Sequence, residues 1–281
     1  MAEASTAELS FSLDSAKSWR AIVAAVAPLV EEGEFIYGPD GLKFTGMDSS
    51  HIAMVDLTIS KSAFQNYICS GEGRLRINMI NMVKLLGRAG EDEALTLNYS
   101  KEREKMQMIL KGALTKQITV PTLQSTDETV PKPKLNHNTK MKLPSSLLRQ
   151  IIEDCRMVSD CVRLTSNPDM VTVEAGEGEL NQIKIEIPRG SMDDLEVSAD
   201  SKAAYSLNYL VPMVKAAVGL AETAELKYSS NMPIQLDFNQ LTYYLAPKVD
   251  WEGEESPAPA TEKATVTEET THERRVQKIE A

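Results

Sequence analysis

Cysteine is scarce in this chain: Cys69, Cys155 and Cys161 are the only three in 281 residues. They are too few and too irregularly spaced for a disulfide framework, and no Cys-x-x-Cys occurs, so inert reduced thiols are expected. Histidine is as rare. His51, His137 and His272 lie far apart, and no His or Cys cluster has metal-ligand spacing. No apolar run approaches the roughly 18–20 residues of a membrane span. Met1-Ala2-Glu3-Ala4 lacks the basic start and apolar run of a secretory leader, so an intracellular protein is expected. Bases are in deficit: 30 Lys and Arg against 41 Asp and Glu give a net charge of −11. Taken alone this argues against a general nucleic-acid binder, because phosphate contacts need cations. The deficit is uneven, since residues 251–281 hold eight acids and four bases. A local basic surface therefore stays open.

A catalytic inventory is also missing. Ser49, Ser50 and His51 are neighbours in a turn-like stretch, but a triad also needs an orienting carboxylate and an oxyanion hole. Gly71-Glu72-Gly73 and Gly176-Glu177-Gly178 have no phosphate-loop lysine and read as hairpin turns. No acidic pair is marked for acid–base work. The expectation is a protein that is not an enzyme and takes no cofactor or metal.

What the chain does contain is the same unit twice. Residues 75–86, LRINMINMVKLL, and 206–217, SLNYLVPMVKAA, each set apolar residues at helical spacing around one lysine. Those lysines, Lys84 and Lys215, are 131 positions apart. Around them each half reads helix, strands, helix, strands. The first helix is expected over 15–32 and the corresponding one over 144–158. Strands are expected at 9–13, 34–37, 41–47 and 51–59, then at 161–165, 170–175, 182–187, 203–207, 224–229, 233–238 and 241–247. The pattern predicts an α+β fold of antiparallel meanders. Its expected divisions are a lead at 1–8, a first domain at 9–119, a connector at 120–135, a second domain at 136–250 and an acidic, disordered tail at 251–281. The connector carries Pro121, Pro131 and Pro133 and few large apolar residues. The tail lacks apolar periodicity.

The helices carry bases in an acidic chain: Lys17 and Arg20, Lys84 and Arg88, Arg149 and Arg156, and Lys215. Spacings of three, four and seven place each pair on roughly one helix face. A solvated polar face explains any single helix. Recurrence of the pattern favours a surface that meets phosphates without reading sequence.

Two segments then carry a resemblance. Gly46-Met47-Asp48-Ser49-Ser50-His51-Ile52-Ala53-Met54-Val55 resembles the signature strand of the PCNA-type DNA sliding clamps, the archaeal and eukaryotic proliferating cell nuclear antigen family. Tyr243-Tyr244-Leu245-Ala246-Pro247-Lys248-Val249, preceded by Asn231-Met232-Pro233-Ile234, is similar to that family's closing strands. The similarity covers about residues 8–250. It implies a two-domain clamp fold, three subunits closed into a ring around duplex DNA, and a processivity factor associated with chromosomal DNA. It implies that Lys17, Arg20, Lys84, Arg88, Arg149 and Lys215 face the DNA, although Gln150 and Glu153 depart from the expected basic pattern. It also implies a pocket that docks short PIP-box peptides of polymerases, ligases and flap nucleases, and a clamp loader as a further partner. By position the pocket would comprise Met47, His51, Ile52, Met54, Leu123, Val130, Pro131, Leu135, Pro233, Tyr244, Ala246, Pro247 and Val249. Head-to-tail pairing of the edges at 113–119 and 180–185 would close a homotrimer, through Leu114, Lys116 and Ile118 against Asn181, Ile183 and Ile185. Three alternatives remain: a specialised paralogue in a heterotrimeric or checkpoint ring, a DNA-processing enzyme with a repeated α+β fold, and a scaffold that never encloses DNA.

Overall fold

The computed structural model describes residues 7–90, 92–126, 130–176 and 181–248. The expected tail, Val249 and most of the lead lie outside them. The first half runs β1 (Leu9–Leu13), α1 (Ala16–Val26), β2 (Glu32–Gly38), β3 (Gly41–Met47), β4 (Ala53–Ser60), β5 (Asn66–Cys69), β6 (Gly73–Asn78), α2 (Met79–Leu86), β7 (Ala94–Ser100), β8 (Lys105–Lys111) and β9 (Thr115–Pro121). The second runs β10 (Thr139–Pro144), α3 (Ser145–Arg156), β11 (Cys161–Asn167), β12 (Met170–Ala175), β13 (Ile183–Pro188), β14 (Asp194–Val197), β15 (Ser201–Ser206), α4 (Leu207–Ala217), β16 (Thr223–Tyr228), β17 (Ile234–Phe238) and β18 (Leu241–Leu245). The order is the same, down to a short 3₁₀ turn after β4 and after β13.

The repeat extends to single hydrogen bonds. The Ala16 N–H donates to the Glu93 carbonyl at 2.8 Å, and Ser145 to Glu222 at 2.8 Å. Met79 donates to Glu31 at 2.8 Å and Leu207 to Asp160 at 2.9 Å. These anchors place α3 129 positions after α1 (145 − 16) and α4 128 after α2 (207 − 79). Lys84 and Lys215, at 131, are therefore not equivalent: Lys84 corresponds to Pro212, and Lys215 to Gly87. The apolar pattern of a helix nearly repeats after three residues, which is why the slip is invisible in sequence. In the true register Met79, Met82 and Leu86 match Leu207, Leu210 and Val214, all buried.

Among the described residues all pairing is antiparallel, and three sheets result. They are β5-β1-β7-β8-β9, the nine-stranded β14-β10-β16-β17-β18-β4-β3-β2-β6, and β13-β12-β11-β15. The middle sheet crosses from one half to the other where β18 pairs with β4, Leu241 opposite Leu57 and Leu245 opposite Ala53. Helix α1 packs on α2, α3 on α4, and α1 on α4. The Tyr243 hydroxyl adds a buried hydrogen bond from β18 to the Ala25 carbonyl of α1.

Several expected boundaries move, two of them for a plain physical reason. Helix α1 stops at Val26, short of Glu32, because Pro28 has no N–H to continue the ladder, and Glu32 opens β2. Strand β4 starts at Ala53, not His51, because residues 48–52 form a turn.

The two halves of the core differ in composition. In the first half Phe11, Trp19, Phe35 and Phe44 pack with ring centroids 5.0–5.4 Å apart. At the position of Trp19 the second half has Leu148, and aliphatic side chains including Leu143, Ile151, Leu210 and Val214 line a residual cavity of about 20 Å³ there. Trp19 is 1% exposed, so Trp19→Ala is expected to cost about 3–5 kcal/mol in denaturant unfolding. Unchanged stability would mean the site collapses around the loss.

Candidate functional site

The turn at 48–52 is built by one carboxylate. Asp48 Oδ1 accepts from the N–H groups of Ile52 at 2.8 Å and Ala53 at 2.7 Å, and Oδ2 from Ser50 at 3.1 Å. The Tyr209 hydroxyl of α4 also donates to Oδ2, at 2.9 Å. Burial pulls the Asp48 carboxyl upward, but the bonds from Ala53, Tyr209, Ile52 and Ser50 outweigh it and hold it below the usual range. This geometry puts His51 at φ +57°, a left-handed conformation that non-glycine residues seldom adopt.

Beside the turn lies an open cleft of about 570 Å³. Met47 and His51 form one wall with Asp48 and Ser49; Val130 and Pro131 of the connector form another; Glu32, Glu34 and Arg76 add charged groups at its edge. Lys132 Nζ lies 2.6 Å from Asp56 Oδ2, which pins the connector onto β4. Sheet register does the rest of the assembly. Met47 pairs with Met54, and Met54 with Tyr244, so residues from β3, β4 and β18 stand in one row on one sheet face. Phe44 and Leu57 project to the opposite, helix-packed face.

Not every expected pocket residue joins the cleft. Met54 is only 2% exposed and packs within the row. Ile52, 41% exposed, is offered to solvent while its carbonyl accepts from Ala246 N–H at 2.9 Å. Tyr244, Pro233, Ala246 and Pro247 are half-buried near the end of β18 and the start of β17. Burial first, then Asp237 and Asp56, raises the Tyr244 phenol, so it stays a neutral donor. Leu135 is half-buried on the connector. Leu123 is elsewhere. Its N–H donates to Arg76 at 2.9 Å, and it lines a separate cleft of about 150 Å³ with Ile77, Met82 and Leu85. Pairing with β6 at Arg76 draws it there, an attachment that a proline-rich connector does not announce. Val249 lies outside the described residues. Glu32, Glu34 and Arg76 were not anticipated, since alternating charges on β2 and β6 look like any solvated strand.

Lys17 and Arg20 on α1, Lys84 on α2 and Lys215 on α4 are exposed; Arg88, expected on the Lys84 helix, is also exposed but lies in the turn beyond it, because α2 ends at Leu86. Arg149 differs: its Nε pairs with Glu153 Oε1 at 2.9 Å. Arg156 pairs with Asp160. Helix α3 thus offers much less net positive charge than α1.

Among the described residues six strands end the three sheets, and β9 and β13 are two of them; β6 and β15 each gain an isolated bridge, to Leu123 and Lys248. Leu114, in the turn before β9, is 71% exposed, and Ile118, Ile183 and Ile185 are half-buried. Asn181 just precedes β13. Lys116 is engaged within its own chain, 2.7 Å from Glu93 Oε1 and 3.2 Å from the Arg88 carbonyl. That lysine, with the Gly90 N–H, holds the Glu93 carboxyl below its usual range.

Comparison with known proteins decides the family. A profile described as "Proliferating cell nuclear antigen, N-terminal domain" matches residues 9–128. The "DNA polymerase sliding clamp" of Cenarchaeum symbiosum is 31% identical over 237 residues, covering 82% of this chain and 94% of that protein. The chain belongs to the PCNA family of sliding clamps. The "DNA polymerase sliding clamp" of Thermofilum pendens is 28% identical over 85% of this clamp and 99% of its own length. In fold, the clamp resembles PCNA from Thermococcus kodakaraensis, with a TM-score of 0.79 at 20% identity, covering 85% of this chain and all of that one. PCNA from Entamoeba histolytica gives 0.80 at 22% identity, over 87% of this chain and all of that one. No helix among the described residues is long and apolar enough to cross a membrane.

Proposed function

We propose that this clamp is a non-enzymatic processivity factor that closes as a homotrimer around duplex DNA and docks partner peptides at the Met47–Pro131 cleft. Family membership supports association with DNA and DNA polymerase. The observation that carries ring closure is the internal repeat itself. Strand β18 is the repeat of β9, and β4 is the repeat of β13. Within the chain β18 and β4 pair antiparallel. The unpaired counterparts, β9 and β13, are then complementary by the same rule, but a second copy must supply the partner. Such a head-to-tail contact is heterologous and closes when the rotation fits. It also covers two sheet edges that would otherwise invite aggregation. Leu114, Ile118, Ile183 and Ile185 supply its apolar contacts, with Asn181 alongside. Lys116 serves its own chain, through Glu93.

The domain boundaries we infer are 9–119 and 136–250, joined by 120–135. The exposed bases on α1, α2 and α4 supply screened phosphate contacts that retain a slider without fixing its register. Arg149 contributes less because Glu153 neutralises it. At the cleft, Met47, Val130 and Pro131 offer apolar walls and His51 a ring face to a peptide's anchors, with Ile52, Tyr244, Ala246 and Pro247 extending the surface beside β18. Clamp loader, ligase and flap nuclease are the further partners proposed. Light scattering across a dilution series tests closure: a mass near three times 31.0 kDa is expected. A persistent monomer would favour a heteromeric ring, and mixing with paralogues would then restore the trimer mass.

A further inference from the structure

We propose that Tyr209 is a positioning residue for the partner cleft, acting from α4 through Asp48. The inference rests on the reading of that cleft as the peptide site. Asp48 is 8% exposed, so its oxygens rely on protein donors. Three donors come from the turn itself: the N–H groups of Ser50, Ile52 and Ala53. These local bonds shape the turn but do not tie it to the other half of the chain. The Tyr209 hydroxyl, 161 positions away, supplies the remaining bond.

Asp48 and its neighbours Met47, Ser49 and His51 line the cleft, whereas Tyr209 does not. Its hydroxyl therefore acts on a docked peptide only through the placement of the turn. Hydrogen bonding to Asp48, then burial, raises the Tyr209 phenol and keeps the proton available for donation. The turn has reason to need such a hold. His51 sits at φ +57°, and a strained residue persists only where its surroundings over-determine it. Without the hydroxyl, Oδ2 keeps only the 3.1 Å bond from Ser50, and the turn loses its side-chain tie to α4.

The test uses the full chain and a fluorescein-labelled PIP-box peptide, with binding read by anisotropy and amide exchange read at Ile52 and Ala53. Tyr209→Phe removes one oxygen and no packing. It is expected to weaken peptide binding about tenfold, the weight of a hydrogen bond to a charged acceptor. Exchange at both amides should quicken, and the solution mass should not change. In an Asp48→Asn background the same change should add less than about twofold, because the two residues act as a unit. Peptide binding of Tyr209→Phe within about twofold of the parent overturns the proposal. So does an equal loss with and without Asp48, or unchanged exchange. If the parent protein binds no peptide, the cleft reading fails, while the exchange rates still decide whether Tyr209 holds the turn.

Discussion

Replacing Leu114 and Ile118 together with aspartate is expected to drop the solution mass from about three times 31.0 kDa to 31.0 kDa. Leu114 is 71% exposed in the turn entering β9, and Ile118 lies in that edge strand. In the proposed ring both meet β13 of the next copy, beside Ile183 and Ile185. An aspartate placed there must lose its hydration against apolar groups without a paired cation, which costs several kcal/mol per ion. Three interfaces per ring each carry two such charges. The folded monomer should survive, because Leu114 is exposed and Ile118 packs only half-buried against the edge of the core. An unchanged trimer mass would mean that the edges do not pair this way. Loss of the folded circular-dichroism signal would mean that β9 holds the monomer together.

The second large effect concerns charge. Lys84→Glu with Lys215→Glu takes each chain from −11 to −15, since two charges of +1 become two of −1. Both lysines are exposed, one on α2 and one on α4. In a homotrimer this removes six cations and adds six anions on the surface proposed to face DNA. Retention of loaded clamp on circular DNA at physiological salt is expected to fall by at least about tenfold. The salt dependence of binding should flatten, because fewer counterions are released. Trimer mass and peptide affinity should stay as in the parent, which separates a loss of phosphate contact from misfolding. Retention equal to the parent's would mean that α2 and α4 do not meet DNA and would favour the scaffold alternative.

Much of the fold was legible because period-two alternation and turn chemistry agree in this chain. Gly41–Met47 and Met170–Ala175 fall where their alternation places them. The repeat was legible too, but its register was not. Helical periodicity tolerates a slip of three residues, and the register is set by backbone hydrogen bonds such as Met79 to Glu31 that no side chain advertises. Short strands such as β5 and β14, four residues each, carry too few alternations to stand out from loops. Of the pocket residues the resemblance implied, Met47, His51, Val130 and Pro131 line the cleft, whereas others such as Ile52, Met54 and Leu123 do not. The same motif contained Asp48, yet its role was hidden. A carboxylate in a Ser-rich turn reads as a solvated cap until Tyr209, 161 positions on, is found bonded to it. Lys116 and Arg149 show the opposite limit. Each looks like a free charge in sequence, and each is engaged by a glutamate of its own chain in the fold.

The central claim is topological, so the most direct measurement compares DNA with and without ends. Clamp loaded by its cognate loader onto nicked circular DNA would be separated from free protein, and the circle then cut once. The account predicts that the clamp stays on the intact circle through gel filtration and leaves within minutes of linearisation. Equal retention before and after the cut would contradict it, because binding would then depend on contact rather than enclosure.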